Sequence, residues 1–119
     1  MLDLELVAAP TEEIVTVDDL RAHVHGPEDG SDDALLESYL AAALAHLDGH
    51  AGILGRAIRT QTWRLYLSCF PAKTIRLSLP PLRSVTSITY TDPDGATQTL
   101  ASSAYRVLDG ERAEVELAY

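Results

Sequence analysis

The stretch ILGRAIRTQTWRLYLSCFP, residues 53–71, marks the point where the sequence changes from a helical to a strand pattern. Before it, apolar residues recur at the three- and four-residue spacing of amphipathic helices. From Thr60 onward the apolar residues alternate with polar ones, which is typical of strands with one buried face. Gly55 is expected to release the chain from the helical half. The sequence therefore predicts helices first and a sheet afterwards.

A first helix is predicted to begin at TVDD, residues 16–19. This tetrapeptide fits a capping box, in which Thr16 accepts a hydrogen bond from the backbone of Asp19 while the Asp19 side chain reaches back. The helix should end at GP, residues 26–27, because glycine readily leaves a helix and proline cannot continue one.

A second helix follows, for which Ser31 or Asp32 can supply the N-terminal cap. Its short connection to the first helix favours an antiparallel helical hairpin. The leucines that recur at helical spacing are the predicted core anchors of this half: Leu36, Leu40, Leu44 and Leu47.

An antiparallel meander is predicted for the second half. A first strand and a second strand carry the predicted core anchors, namely Trp63, Leu65, Leu67, Ile75 and Leu77. DPDG, residues 92–95, is a strong hairpin signal. Two final strands are expected to turn at Asp109 and Gly110. The predicted fold class is α+β, with an N-terminal antiparallel helical hairpin followed by an antiparallel β meander.

Length and composition predict one domain, since 119 residues with 46% apolar side chains can bury a core. Residues 1–15 are expected to form a flexible tail, and residues 16–119 a single domain with a helical part at 16–55 and a β part at 58–119. Cys69 is the single cysteine, so an intramolecular disulfide and zinc sites of three or four thiolates are excluded. This cysteine usage favours an intracellular protein, and we expect no membrane role, because no apolar run approaches the roughly 18 residues of a spanning helix.

Charge is distributed unevenly along the chain. Residues 1–50 contain 12 acids and one base, a net charge of −11, whereas the remainder carries +2. Between Asp48 and Asp92 there are six bases and no acid. Basic residues in and near this segment are predicted to form a docking face, and acids of the second helix a complementary one: Arg56, Arg59, Arg64, Arg76 and Arg83, with Asp32, Asp33 and Glu37.

Two explanations of this asymmetry stay open from composition. The acidic half of one copy can meet the basic face of the next, a heterologous contact that closes into a ring or continues as a filament. Alternatively, the two halves neutralise each other within one copy. Specific binding of free DNA is disfavoured, because a chain of net charge −9 is repelled by phosphates at long range.

His46 and His50 stand four residues apart on the predicted second helix and could both face one metal ion. The glutamate of the zinc-protease helix motif is missing, since Leu47 follows the first histidine. We interpret the pair as surface or helix-end histidines and expect no cofactor. A small metal-dependent enzyme using His46 and His50 is the alternative from another functional class.

Several segments, taken together in their order, resemble one protein family. These are DDALLESYLAAALAHL at 32–47, LGRAIRTQTWRLYLSCFP at 54–71, IRLSLPPLRSVTSITYTDPDG at 75–95 and YRVLDG at 105–110. This order is similar to that of the head-to-tail connector, or adaptor, proteins of tailed bacteriophages and phage-derived gene transfer agents.

The resemblance implies a non-enzymatic structural protein in the neck between head and tail, made in the host bacterial cytoplasm. Such proteins sit as a dodecameric ring beneath the portal protein, extend the DNA channel and dock the next tail component. The implied partners are the portal, a stopper or other neck protein, further copies of the chain, and passing double-stranded DNA without specific binding. A tail-completion or stopper protein of the same assembly is the nearest alternative.

Overall fold

The structure is a computed structural model that describes residues 3–108 and 110–118. The chain divides into two compact units, which we call the helical unit (Leu6–Arg64) and the sheet unit (residues 3–5 and the described residues from Leu65 onward). In chain order the elements are β1 (Asp3–Ala8), α1 (Val17–Val24), α2 (Asp33–Leu47), β2 (Thr62–Tyr66), β3 (Thr74–Arg76), β4 (Thr89–Thr91), β5 (Thr97–Thr99), a 3-10 turn (Ser102–Ala104), β6 (Tyr105–Val107) and β7 (Glu114–Leu117).

The predicted capping box at the start of α1 is confirmed. The Thr16 hydroxyl accepts the Asp19 N–H at 3.1 Å, and the Asp19 carboxylate accepts the Thr16 N–H at 3.0 Å. The helix ends at Val24, two residues before the predicted glycine, because His25 takes the left-handed conformation with a φ of 56°. The Gly26 N–H then bonds to the Arg21 carbonyl, which closes the last turn.

Helix α2 begins after Asp32, but the Asp32 side chain makes no capping hydrogen bond. The start of the helix is instead joined to α1 by an ion pair in which the Arg21 guanidinium binds the Asp33 carboxylate. Arg21 also binds Asp18 at 2.6 Å. Of the predicted anchors in α2, Leu36 is buried, and Leu40, Leu44 and Leu47 are half-buried along the same side of the helix.

The predicted fold class is wrong. The helices do not form an N-terminal hairpin, and strand β1 precedes them in the segment predicted to be a flexible tail. The strands form three small sheets, β1–β2, β3–β7–β6 and β4–β5, rather than one meander. The two-residue alternation predicts which segments are strands, but pairing depends on contacts between distant segments. Strand β7 pairs with β3 and separates it from β6.

The core of the sheet unit lies on one face of the β3–β7–β6 sheet. Ile75 faces Val115 across the β3–β7 ladder, and both are buried together with Leu117. Half-buried side chains cover this cluster, namely Leu65, Leu77, Leu82, Val85, Ile88, Leu100 and Tyr105. Ile75 is therefore buried and Leu65 and Leu77 are half-buried against it, whereas Val115 and Leu117 are central residues that the sequence pattern did not single out.

Leu67 does not belong to the core, contrary to prediction. It is 38% exposed, because β2 ends at Tyr66 and the alternation of buried and exposed residues ends with it. Trp63, on β2 itself, is half-buried as the alternation predicts.

The hairpin predicted at residues 92–95 is present between β4 and β5. Its turn is held by the Asp92 carboxylate, which accepts the N–H groups of Asp94 at 3.0 Å and Ala96 at 2.9 Å. Strands β6 and β7 occupy the place of the two final predicted strands. These two strands were predicted to turn at Asp109 and Gly110, and Asp109 lies outside the described residues.

We expect Val115→Ala to lower the free energy of unfolding of the sheet unit by about 2 kcal/mol, because it removes two methyl groups from a packed core. Val107→Ala is the matched control. It stands directly opposite Val115 in the β6–β7 ladder but is 43% exposed, against 2% for Val115. Urea unfolding followed by amide exchange of β7 measures both variants, and equal losses would contradict the assignment of the core.

Candidate assembly interface

The Asp48 carboxylate, at the C-terminal end of α2, accepts three hydrogen bonds from the segment that follows the helix. It accepts the Ile58 N–H at 2.7 Å, the Arg59 Nε–H at 2.9 Å and the Gln61 amide at 3.0 Å. We call these four residues the Asp48 clamp. The Gln61 amide oxygen in turn accepts the Trp63 indole N–H at 2.8 Å. The clamp therefore ties the segment leading into β2 to the end of the helix.

Asp48 is a buried charge that is fully compensated. Burial alone raises the pKa of its carboxyl, but the hydrogen bonds from Ile58 and Arg59 outweigh burial, so the pKa lies below the ordinary value of an aspartate. Arg59 stays half-buried against it. The ion pair is thus an internal structural contact with satisfied hydrogen bonds, the condition under which a buried ion pair persists.

The clamp closes a loop that carries an apolar tip. Gly49 adopts a φ of +85°, and Gly52 approaches the end of α2 so closely that a Cβ would collide with the Leu47 carbonyl. The Ile53 N–H bonds to the His46 carbonyl at 2.8 Å. Ile53 and its neighbour Leu54 are both exposed.

The exposed residues of α2 are also mostly apolar. Leu35 and Tyr39 are 51% and 60% exposed, and the alanines at 41–43 of the same helix are also exposed. A helix at a protein surface normally carries polar residues on its outer face, whereas a helix that is apolar on all sides is normally covered. We define the apolar surface of the helical unit as Leu35, Tyr39, the alanines 41–43, Ile53 and Leu54.

The predicted docking arginines do not share one environment. The Arg59 guanidinium is engaged with Asp48 inside the clamp, and its side chain is only 18% exposed. Arg76 binds Glu114 at 3.1 Å but remains mostly exposed. The other three are exposed: Arg56, Arg64 and Arg83.

The predicted acidic face of α2 is partly neutralised within the helical unit. Asp33 is half-buried and paired with Arg21, whereas Asp32 and Glu37 are exposed. The Asp33–Arg21 and Asp48–Arg59 pairs neutralise charges within the helical unit, and the Arg76–Glu114 pair does so within the sheet unit.

His46 and His50 are both exposed at the end of α2, as the interpretation of surface or helix-end histidines predicts, but His50 is not on the helix. Helix α2 ends at Leu47, so His46 lies on the helix and His50 lies beyond it, after the left-handed turn at Gly49. The His50 ring stands 6.0 Å from the Trp63 ring. Within residues 3–108 and 110–118, no group of three or more histidine, cysteine, aspartate or glutamate side chains is arranged to hold a metal ion. Over the same residues, no helix is long and apolar enough to cross a membrane.

The sequence pattern did not single out Asp48 or the exposed face of α2. The sequence held one indication of the importance of Asp48. It is the last acid before a long segment that contains bases but no acid, and it stands at the end of a helical pattern beside Gly49. The exposed apolar residues of α2 also had one indication in the sequence: of the eight residues between the four spaced leucines, four are alanine and one is tyrosine.

We expect Asp48→Asn to lower the free energy of unfolding by about 2–3 kcal/mol at pH 7, because it leaves the half-buried Arg59 charge without its partner. The pKa of Asp48 is depressed in the folded state, so its contribution is complete at neutral pH and is lost as the pH falls below about 4. The difference in free energy of unfolding between Asp48→Asn and the wild type should therefore become smaller as the pH falls below about 4.

Trp63 is the single tryptophan and lies beside the clamp, so urea unfolding followed by its fluorescence at pH 3 to 7 measures this effect. Asp18→Asn is the control. This substitution also removes a carboxylate that pairs with an arginine, but the Asp18 side chain is 84% exposed. The free energy of unfolding should therefore change by no more than about 0.5 kcal/mol. A constant difference between Asp48→Asn and wild type across this pH range would contradict the proposed role of the carboxylate.

Comparison with known proteins finds no matching family model, no matching curated protein and no matching solved structure.

Proposed function

We propose that this chain is a structural, non-enzymatic head-to-tail connector of a phage or phage-like particle. In this role it forms a ring beneath the portal protein, extends the DNA channel and docks the next tail component. The ordered motifs of the sequence support the identity of the assembly. The observation that carries a role as an assembly subunit is the apolar surface of the helical unit.

Exposure of this surface is costly in an isolated chain. Burying a leucine-sized side chain contributes roughly 1.5–3 kcal/mol relative to leaving it in water, and contiguous apolar patches commonly mark interaction sites. Leu35 and Tyr39 lie one helical turn apart, so both can enter a single partner surface. A neighbouring subunit that covers them gains this energy without any change in the fold of the helical unit.

Neighbouring copies meet heterologously in this proposal, because a ring requires that one surface contact a different surface of the next copy. Asp32, directly before α2, and Glu37, in its second turn, are exposed acids, so the N-terminal end of the helix carries exposed negative charge. Acids of residues 1–50 that face the channel would repel passing DNA and keep it from binding to the wall.

Mass spectrometry of purified, DNA-filled particles, with this chain quantified against the portal protein, tests the proposed function. A ratio near one to one is the expected result for a ring that matches the portal. The chain in the lysate but not in the particles would refute the connector role.

We expect the double substitution Leu35→Gln and Tyr39→Gln to leave the fold intact but strongly reduce incorporation into particles. Both side chains are exposed, so the free energy of unfolding should change by less than about 1 kcal/mol in total. Leu36→Ala is the matched control on the buried side of the same helix. It should instead cost about 2–4 kcal/mol. Normal incorporation of the double variant, measured in the same particle preparation, would show that this surface is not the interface.

A further inference from the structure

Strand β3 forms an open edge of the three-stranded sheet. The strand order is β3–β7–β6, and no further strand pairs with the outer side of β3 among the residues the structure describes. The Leu117 N–H bonds to the Lys73 carbonyl and the Leu77 N–H to the Ala113 carbonyl, both at 2.8 Å. In an antiparallel ladder, residues that bond to the partner alternate with residues whose backbone groups point away. The N–H and C=O groups of Thr74 and Arg76 therefore point outward.

An open groove of about 330 Å³ runs beside this edge. Its apolar wall includes Leu67, Cys69, Pro71 and Ile75, so the exposed side of Leu67 faces the groove. An edge with free backbone groups and an adjacent apolar groove has the two parts of a strand-addition site. The backbone groups supply affinity and the groove receives alternate side chains.

Charge restricts which strand can be added. Lys73 pairs with Glu116 and Arg76 with Glu114, yet the two basic side chains remain 72% and 82% exposed, while the glutamates are largely covered. Basic side chains along an edge strand prevent it from pairing with a second copy of the same edge. An acidic strand meets no such repulsion, and Arg76 retains guanidinium N–H groups that can bind a second carboxylate.

We propose that the β3 edge binds an extended segment of a partner protein in which acidic and apolar residues alternate. Thr74 and Arg76 supply up to four backbone hydrogen bonds. Apolar side chains on the Ile75 side of the added strand enter the groove, and acidic side chains on the opposite side bind Arg76 and Lys73. The site is a property of this edge and does not depend on the connector role, so particle composition and peptide binding test the two proposals separately.

The experiment uses the full chain labelled with nitrogen-15 and a six-residue peptide of alternating glutamate and valine with blocked ends. The matched control peptide replaces every glutamate by lysine. When the free concentration of the acidic peptide is about ten times its dissociation constant, amide exchange at Thr74 and Arg76 should slow about tenfold. Exchange at these amides then proceeds only from the small fraction of protein that is not bound. The basic peptide should leave both amides unchanged.

Thr74→Pro removes an outward N–H without removing a ladder bond, since proline is tolerated on edge strands. It should weaken binding of the acidic peptide at least about tenfold. Thr99→Pro is the control. By the same alternation, the Asp92 N–H to Ala96 carbonyl and Leu100 N–H to Ile88 carbonyl bonds place the Thr99 N–H on the outer side of β5, away from the proposed site.

If Thr74→Pro fails to fold, Arg76→Gln carries the test. It keeps every backbone bond and should weaken the acidic peptide about threefold, with a smaller dependence on salt. Failure of the acidic peptide to bind the wild type would overturn the proposal. So would binding unaffected by both variants, or protection at amides other than those of the β3 edge.

Discussion

The helical unit depends on one buried carboxylate. Among its described residues, Leu36 is the single buried hydrophobic side chain, so apolar burial alone does not hold residues 49–61 against α2. Asp48 does so with three charge-assisted hydrogen bonds, from Ile58, Arg59 and Gln61, of which the one from Arg59 is also an ion pair. A buried charge tolerates few alternative arrangements, because leaving it unpaired is expensive. The clamp therefore specifies the path of the chain more than it adds stability.

This arrangement leaves the apolar side chains of the helical unit available for other contacts. The clamp fixes the segment after α2 through polar groups, and Ile53, Leu54 and the outer residues of α2 remain exposed. The sheet unit is built differently. Its apolar residues are gathered on one face around Val115, and its other face carries the pairs of Arg76 with Glu114 and of Arg106 with Glu116. The two units therefore present different chemistry, an apolar surface on one and a charged strand edge on the other.

How much could be predicted from the sequence depends on how local each feature is. The capping box at Thr16 and the turn at Asp92 involve groups within four residues of each other, and both were predicted. The pairing of β3 with β7 joins Ile75 to Val115 across most of the sheet unit, and alternation does not encode it. The linear order of helices and strands therefore predicted a single meander, whereas the chain forms three separate sheets.

The same reasoning applies to the candidate site. Charge and spacing selected Arg59 as a docking residue and placed His50 on α2, because neither pattern shows where a helix stops. The same turn lies behind both outcomes, since the chain leaves α2 at Asp48, whose backbone is extended, and the left-handed Gly49 follows directly before the segment that returns to Asp48. The apolar face of α2 was visible in composition, but spacing alone assigned only its leucines to the core.

The absence of acids between Asp48 and Asp92 acquires a physical meaning in this fold. A basic residue in that segment has no acid within it to pair with, so its ion pair must reach across elements. Arg59 reaches back 11 residues to the end of α2, and Arg76 reaches forward 38 residues to β7. Each pair joins segments that backbone propensity alone would leave unconnected. Placing the acids outside the segment thus favours long-range pairing over local helix formation, and it leaves the cation of the Arg76 pair, rather than its acid, projecting from the edge of the sheet.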